Sequence, residues 1–163
     1  MKLREDAIGK RIFLNIILLP LNMSKNSPLN IKGFHPFGDL IGLRFVKLEK
    51  GCSQCTLDVI DKLLNPHKVV HGGVLYSMVD TGMGAAAYTK LEKNEICATI
   101  EVKINYFKAV KGGNLTCNTK VIHQGKKIVT LDSEIFNEGN IVAKALGTYS
   151  IIKRKEAHGI SGK

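Results

Sequence analysis

Between residues 98 and 107 the chain reads ATIEVKINYF. Ile100, Val102, Ile104 and Tyr106 alternate there with Thr99, Glu101, Lys103 and Asn105, the period of two expected of a half-buried strand with one set on each face. The stretches at 40–51 (LIGLRFVKLEKG) and 52–60 (CSQCTLDVI) predict two further strands around a turn at Lys50-Gly51. Segments 115–124, 127–136 and 141–152 continue the pattern, and the glycine-bearing separators KGGN, QGK and NEGN predict hairpin turns. Residues 61–70 (DKLLNPHKVV) read as a loop, because Pro66 removes a backbone donor and biases Asn65 away from helix.

Residues 72–90 break this rhythm. From Gly72 to Tyr88 the only charged side chain is Asp80. Leu75, Met78, Met83 and the Ala85-Ala86-Ala87 run favour helix, while Gly82 and Gly84 each cost roughly 1 kcal/mol in a helix interior. A helix that is apolar all round has to be buried on nearly all sides, and its glycines permit close approach of a neighbouring element. The predicted order is two strands, one buried helix, then four strands as a meander. The fold class is therefore α+β: an antiparallel sheet long enough to curl around one long buried helix.

The chain of 163 residues fits one domain. No stretch supplies the ~20 apolar residues that a membrane-spanning helix needs, so no membrane crossing is expected. The first 22 residues differ from the rest. KRIFLNIILLPL has the basic start and apolar run of a secretory h-region without a small-x-small cleavage site. A loosely docked helix, or an upstream start in place of one at Met23, are the other readings.

With 24 Lys and Arg against 14 Asp and Glu the net charge is +10, scattered except at the tail KRKEAHGISGK, 153–163. Such a field attracts anions of any kind. Nucleic acid is not the expected partner, since 6% aromatic residues, no Trp and no recognition motif leave nothing to stack on or read bases. The four cysteines suggest reduced thiols and a cytoplasmic setting. Cys52 and Cys55 form a C-x-x-C with no matching second pair, which favours thiols packed in a strand over a zinc site. No metal site and no cofactor are expected.

The helix start carries the candidate chemistry. At Gly72 and Gly73, backbone N–H groups stand unobstructed at the positive end of a helix, a place for an anion or a developing oxyanion; the alternative is a tight turn after Val70. Asp80, in apolar surroundings that favour basicity, is a candidate general base, or else a structural acceptor from Thr81 or Ser77. His67 and His71 are four apart, but Pro66 and the two glycines place them in a loop or cap, where a histidine orients backbone. Gly72 and Asp80 would lie roughly 12 Å apart along one helix, too far to act on one carbonyl. Two such helices antiparallel across a two-fold axis would bring them together, so the site is expected at a homodimer interface. Tyr76, Met78, Met83 and Tyr88 are either pocket lining or core.

The run NPHKVVHGGVLYSMVD, followed by ATIEVKINYFKAVKGG and VIHQGKKIVTLDSEIFNEGNIVAKALGTYSI, resembles the hotdog-fold acyl-CoA thioesterases of the PaaI-like, phenylacetate-pathway type. The most specific element is an Asn six positions before His-Gly-Gly, followed by Asp. The resemblance covers about 34–152, with 1–33 as an N-terminal extension and 153–163 as a basic tail; Ala109 departs from a proline frequent in relatives. It implies a homodimer, commonly paired again into a homotetramer, that hydrolyses the thioester of an acyl group with coenzyme A. By that resemblance Asp80 is general base or nucleophile, Gly72 N–H polarises the carbonyl, Asn65 positions water or substrate, His71 holds the loop and Thr99 assists the water. Gly73, Lys108, Lys111, Lys126 and Lys127 are candidates for the coenzyme A phosphates. The rival within this fold is a module that binds acyl-CoA without cleaving it. A hydratase is disfavoured because its Asp-x-x-x-x-His pairing is missing.

Overall fold

A computed structural model describes residues 28–154. The expectations for residues 1–22, for Met23 and for the tail beyond Arg154 lie outside the described residues. Pro28–Asn30 makes one 3-10 turn. The Asn30 side chain then brackets the backbone of Phe45, donating to its carbonyl at 2.6 Å and accepting from its N–H at 2.8 Å. With Leu29 packed on the core, this end of the extension is joined to the first strand.

Helix α1 spans Pro36–Ile41, where a strand was expected to begin at Leu40. The reason is local. Pro36 sits in the first turn, its φ already set for helix, and Gly42 closes the other end at φ 77, a left-handed conformation that costs glycine least. Strand β1 (Arg44–Glu49) and strand β2 (Cys52–Asp58) follow around Gly51, at φ 77. Helix α2 runs Gly72–Tyr88, and four strands come after it: β3 (Glu95–Tyr106), β4 (Asn114–Gln124), β5 (Ile128–Asn137) and β6 (Asn140–Lys153).

All six strands form one antiparallel sheet in the order β1-β2-β4-β5-β6-β3. The expected four-strand meander is therefore corrected. Only β4, β5 and β6 form one, and β3 leaves its sequence neighbour to pair with β6 at the sheet's edge. The KGGN segment is accordingly a crossover and not a hairpin. It is anchored where Val70 N–H donates to Val110 O at 2.7 Å and Val59 N–H to Gly113 O at 2.9 Å. The NEGN turn is a true two-residue hairpin, with Glu138 at φ 49 and Gly139 at φ 78, the signs that match the twist of the flanking strands.

Along β3 the simple alternation also fails. Thr99 faces Tyr149 and Glu101 faces Thr148, so Ile100 is an extra residue in a β-bulge and is 57% exposed. The bulge moves Thr99 to the inward face shared by Val102 and Ile104, opposite to the face that strict alternation gave it.

Helix α2 lies against the sheet through Met78, Val79, Met83 and Ala86, all fully buried, over a floor that includes Leu57, Leu115, Leu131 and Ile135. Close approach occurs at Gly82. Beneath it Ser53, Thr119 and Ser133 stand in register across β2, β4 and β5. Ser53 Oγ donates to Gly82 O at 2.7 Å, and the Thr119 and Ser133 hydroxyls meet at 2.6 Å. The expectation that the helix is hidden on nearly all sides is corrected too: within one chain, Gly73, Tyr76, Ser77, Asp80, Thr81, Gly84 and Tyr88 remain partly or largely exposed. Their three- and four-residue spacing makes one continuous stripe along the helix.

Candidate functional site

Asp80 emerges on this stripe, midway along α2. The bulge in β3 delivers Thr99, whose hydroxyl donates to Asp80 Oδ1 at 2.9 Å. Across the β3–β6 pair Tyr149 points inward, and its hydroxyl lies 2.7 Å from Asp80 Oδ1 and 2.8 Å from the Asp80 carbonyl. Both donors therefore converge on one carboxylate oxygen. Among the described residues nothing hydrogen-bonds to Oδ2. Ser77, expected as an alternative donor to Asp80, donates instead to Gly73 O at 2.7 Å.

Burial, and after it the carboxylate to which it donates, hold the Tyr149 phenol well above the ordinary tyrosine range, with Thr99 opposing. Burial likewise pushes the Cys97 thiol up to about 11, the Asp80 charge adding to it. Around Asp80, then, the neighbouring acids are held neutral. Hydrogen bonding with Cys117 and then burial raise the Cys55 thiol as well. Cys52 and Cys55 lie three apart on β2 and so project to opposite faces of the sheet, which rules out their use as a paired half-site.

The start of α2 forms the second part of the site. His71 is its N-cap, with Nδ1 accepting from Gly73 N–H at 2.9 Å. Gly73's N–H is thus occupied by the His71 side chain. Gly72 N–H carries no hydrogen bond among the described residues. Asn65 shapes the preceding loop: its Oδ1 accepts from His67 N–H at 2.9 Å and from Val69 N–H at 3.4 Å, while Lys68 takes φ 59. The Asn65 amide NH₂ is left with no partner among the described residues.

Gly72 opens onto a surface depression of about 300 Å³ lined by Val70, Leu75, Tyr106, Phe107, Lys108 and Val110. The Tyr106 hydroxyl donates to Gly72 O at 3.2 Å. Of the four candidate lysines, Lys108 lines this depression, and Lys111 lies in the same crossover. Lys126 and Lys127 occupy the β4–β5 turn, separated from the crossover by the 11 residues of β4, about 33 Å of strand. One chain does not gather all four. Nor does it join Gly72 to Asp80, which are eight positions apart on a single helix, about 12 Å.

Two residues of this arrangement escaped the sequence reading. Tyr149 left a usable signal: it falls on the inward face of β6, where a buried tyrosine needs a partner for its hydroxyl. Tyr106 left less, since its contact with Gly72 depends on where β3 ends relative to α2. Met78 and Met83 prove to be core, whereas Tyr76 and Tyr88 are 38% and 40% exposed on the stripe.

Residues 67–144 match the family model described as the thioesterase superfamily. A Saccharolobus solfataricus protein named as an esterase, SSO1253, is 38% identical over 116 residues, 71% of this chain and 77% of its own. The acyl-coenzyme A thioesterase PaaI of Escherichia coli is 30% identical over 99 residues, 60% of this chain and 69% of its own. Among solved structures, the conserved protein PA5202 of Pseudomonas aeruginosa superposes with a TM-score of 0.70 at 32% identity, covering 72% of this chain and 94% of that one.

Proposed function

The chain belongs to the thioesterase superfamily and has its hotdog fold, and on that footing we propose that it hydrolyses acyl-CoA thioesters to the free acid and coenzyme A. The observation that carries the reading is the Asp80 carboxylate on the exposed stripe, anchored through Oδ1 and open at Oδ2. In this reading Oδ2 takes the proton of a water held near Thr99, and that water attacks the thioester carbonyl; direct attack by Oδ2 is the variant route. The oxyanion forms against the unpaired Gly72 N–H at the positive end of α2 of a second copy. Collapse of the intermediate expels coenzyme A as thiolate. A thiol of pKa about 8.5 leaves readily in this way, so the step calls for no metal and no cofactor.

The second copy is required by distance, because the two groups are about 12 Å apart in one chain. A homodimer with two α2 stripes antiparallel supplies it, and pairing of such dimers gives a tetramer. Asn65 offers its amide NH₂ to substrate or water, and Lys108 with Lys111 lies nearest to Gly72 for the coenzyme A phosphates. Lys126 and Lys127 would contribute from the far end of the sheet. A cytoplasmic setting suits such a substrate and the four free thiols, and no helix among the described residues is long and apolar enough to cross a membrane.

The test is free-thiol release from aromatic, short and medium-chain acyl-CoA esters, with Asp80→Asn compared at equal folded concentration. Turnover by the wild type and a loss of at least about 10²-fold in the variant are expected. Binding of acyl-CoA without release by either protein would replace hydrolysis with a binding role.

A further inference from the structure

We propose that Tyr149 is a positioning residue that selects which oxygen of Asp80 reacts. This rests on the hydrolytic reading of Asp80, and it adds a residue to that site.

The phenol ring is 2% exposed and comes from β6, well away from α2 in the chain. Its hydroxyl sits between two oxygens of one residue, 2.7 Å from Oδ1 and 2.8 Å from the main-chain carbonyl of Asp80. A tyrosine that needed only to satisfy its own proton could use the carbonyl alone. Lying between the carbonyl and the carboxylate, it ties the side chain to its own backbone and restricts rotation about both χ angles. Thr99 reinforces this from the other strand of the pair, 2.9 Å from the same Oδ1.

The consequence is an asymmetric carboxylate. Oδ1 accepts from two fixed donors and Oδ2 from none among the described residues, so the lone pairs of Oδ2 alone are available to a water or a thioester carbon. Donors held on Oδ1 also keep Oδ2 pointing out of the stripe.

Tyr149→Phe keeps the ring and removes one oxygen, so it separates positioning from packing. The expected result is a fall in kcat of about 10-fold with KM within about twofold, since geometry at the reacting atom is lost and binding is not. In an Asp80→Asn background the same change should cost less than about twofold, as residues that act through one another are non-additive. Equal losses in both backgrounds, or a change confined to KM, would overturn the proposal. A crystal structure of Tyr149→Phe supplies a readout that does not depend on turnover. The Asp80 carboxylate should be rotated or split between conformers, and an unmoved carboxylate would overturn the proposal even if the wild type hydrolysed nothing. Absence of wild-type turnover with a displaced carboxylate would instead sink the hydrolytic reading and leave the positioning role standing.

Discussion

Gly147 and Met83 share one space: a Cβ added to Gly147 would run into the Met83 sulfur, in a part of the core where Met83 is fully buried. The thioether is flexible, yet it has nowhere open to go, and the Glu101 carbonyl closes the other side at 3.4 Å. Gly147→Ala is therefore expected to destabilise the fold by about 1–3 kcal/mol, the usual cost of overpacking. Urea unfolding measures it. In a Met83→Ala background Gly147→Ala should cost less than in the wild type, because the two changes compete for one volume.

Helix α2 begins at a histidine cap. His71→Ala removes the acceptor of Gly73 N–H and should cost about 0.5–2 kcal/mol, whereas His71→Asn, with a side chain well suited to the cap, should recover most of it. Thermal unfolding of the two variants decides this. A histidine retained for another purpose would show no such rescue.

Thr99→Val is close in shape and lacks the hydroxyl that reaches Asp80 at 2.9 Å. Since Thr99 is exposed, the valine should fold with stability changed by less than about 1 kcal/mol. Turnover should nevertheless fall about 10-fold, read as kcat in the thiol-release assay. Undiminished kcat would remove Thr99 from the site.

Lys108→Ala tests whether the lysine beside Gly72 meets phosphate. KM for acyl-CoA should rise several-fold, on the order of 1 kcal/mol for one phosphate contact, and the rise should shrink in high salt. A thioester of pantetheine, which lacks the nucleotide, should show no such change. If both substrates suffer equally, Lys108 shapes the depression and does not read the nucleotide.

Alkaline pH should loosen the protein. Burial, with the Asp80 charge adding to it, raises Cys97 from 9.0 to about 11, and Tyr149 moves upward from 10.0 chiefly through burial. Above about pH 9 the unfolded chain gives up protons that the folded chain retains, so stability falls as pH rises. This contribution is whole below pH 9 and is lost progressively through pH 11 and beyond. Urea midpoints between pH 7.5 and 11 should decline, and less steeply in Cys97→Ala or Tyr149→Phe. A flat profile would contradict the assignment.

Much of this was legible in the sequence because it depends on short-range pattern. Helix α2 showed itself by composition, the six strands by alternation, and Asp80 by being the lone charge from Gly72 to Tyr88. What was missed depends on long-range pairing. Nothing within 98–107 announces that Ile100 will be a bulge, yet that extra residue decides whether Thr99 points at Asp80 or at solvent. The KGGN segment has the composition of a hairpin and was read as one; only the pairing of β3 with β6 makes it a crossover. Helix α1 was overlooked because six residues are too few to display a period, although Pro36 and Gly42 mark both of its ends.

The strand order also bears on how the chain reaches this shape. The β4–β5–β6 meander closes through short turns and can form from contacts near in sequence. Joining β2 to β4 is different: Gln54 meets Asn118 across 64 positions. The chain between them holds all of α2 and β3, so the helix has to be laid on the sheet as its edges close. Closures of that span are slow, and the protein is expected to refold on the millisecond-to-second scale of topologies rich in distant pairings. Asp80 would thus meet Thr99 and Tyr149 only once α2 and β3 have been laid on a meander that already holds β6.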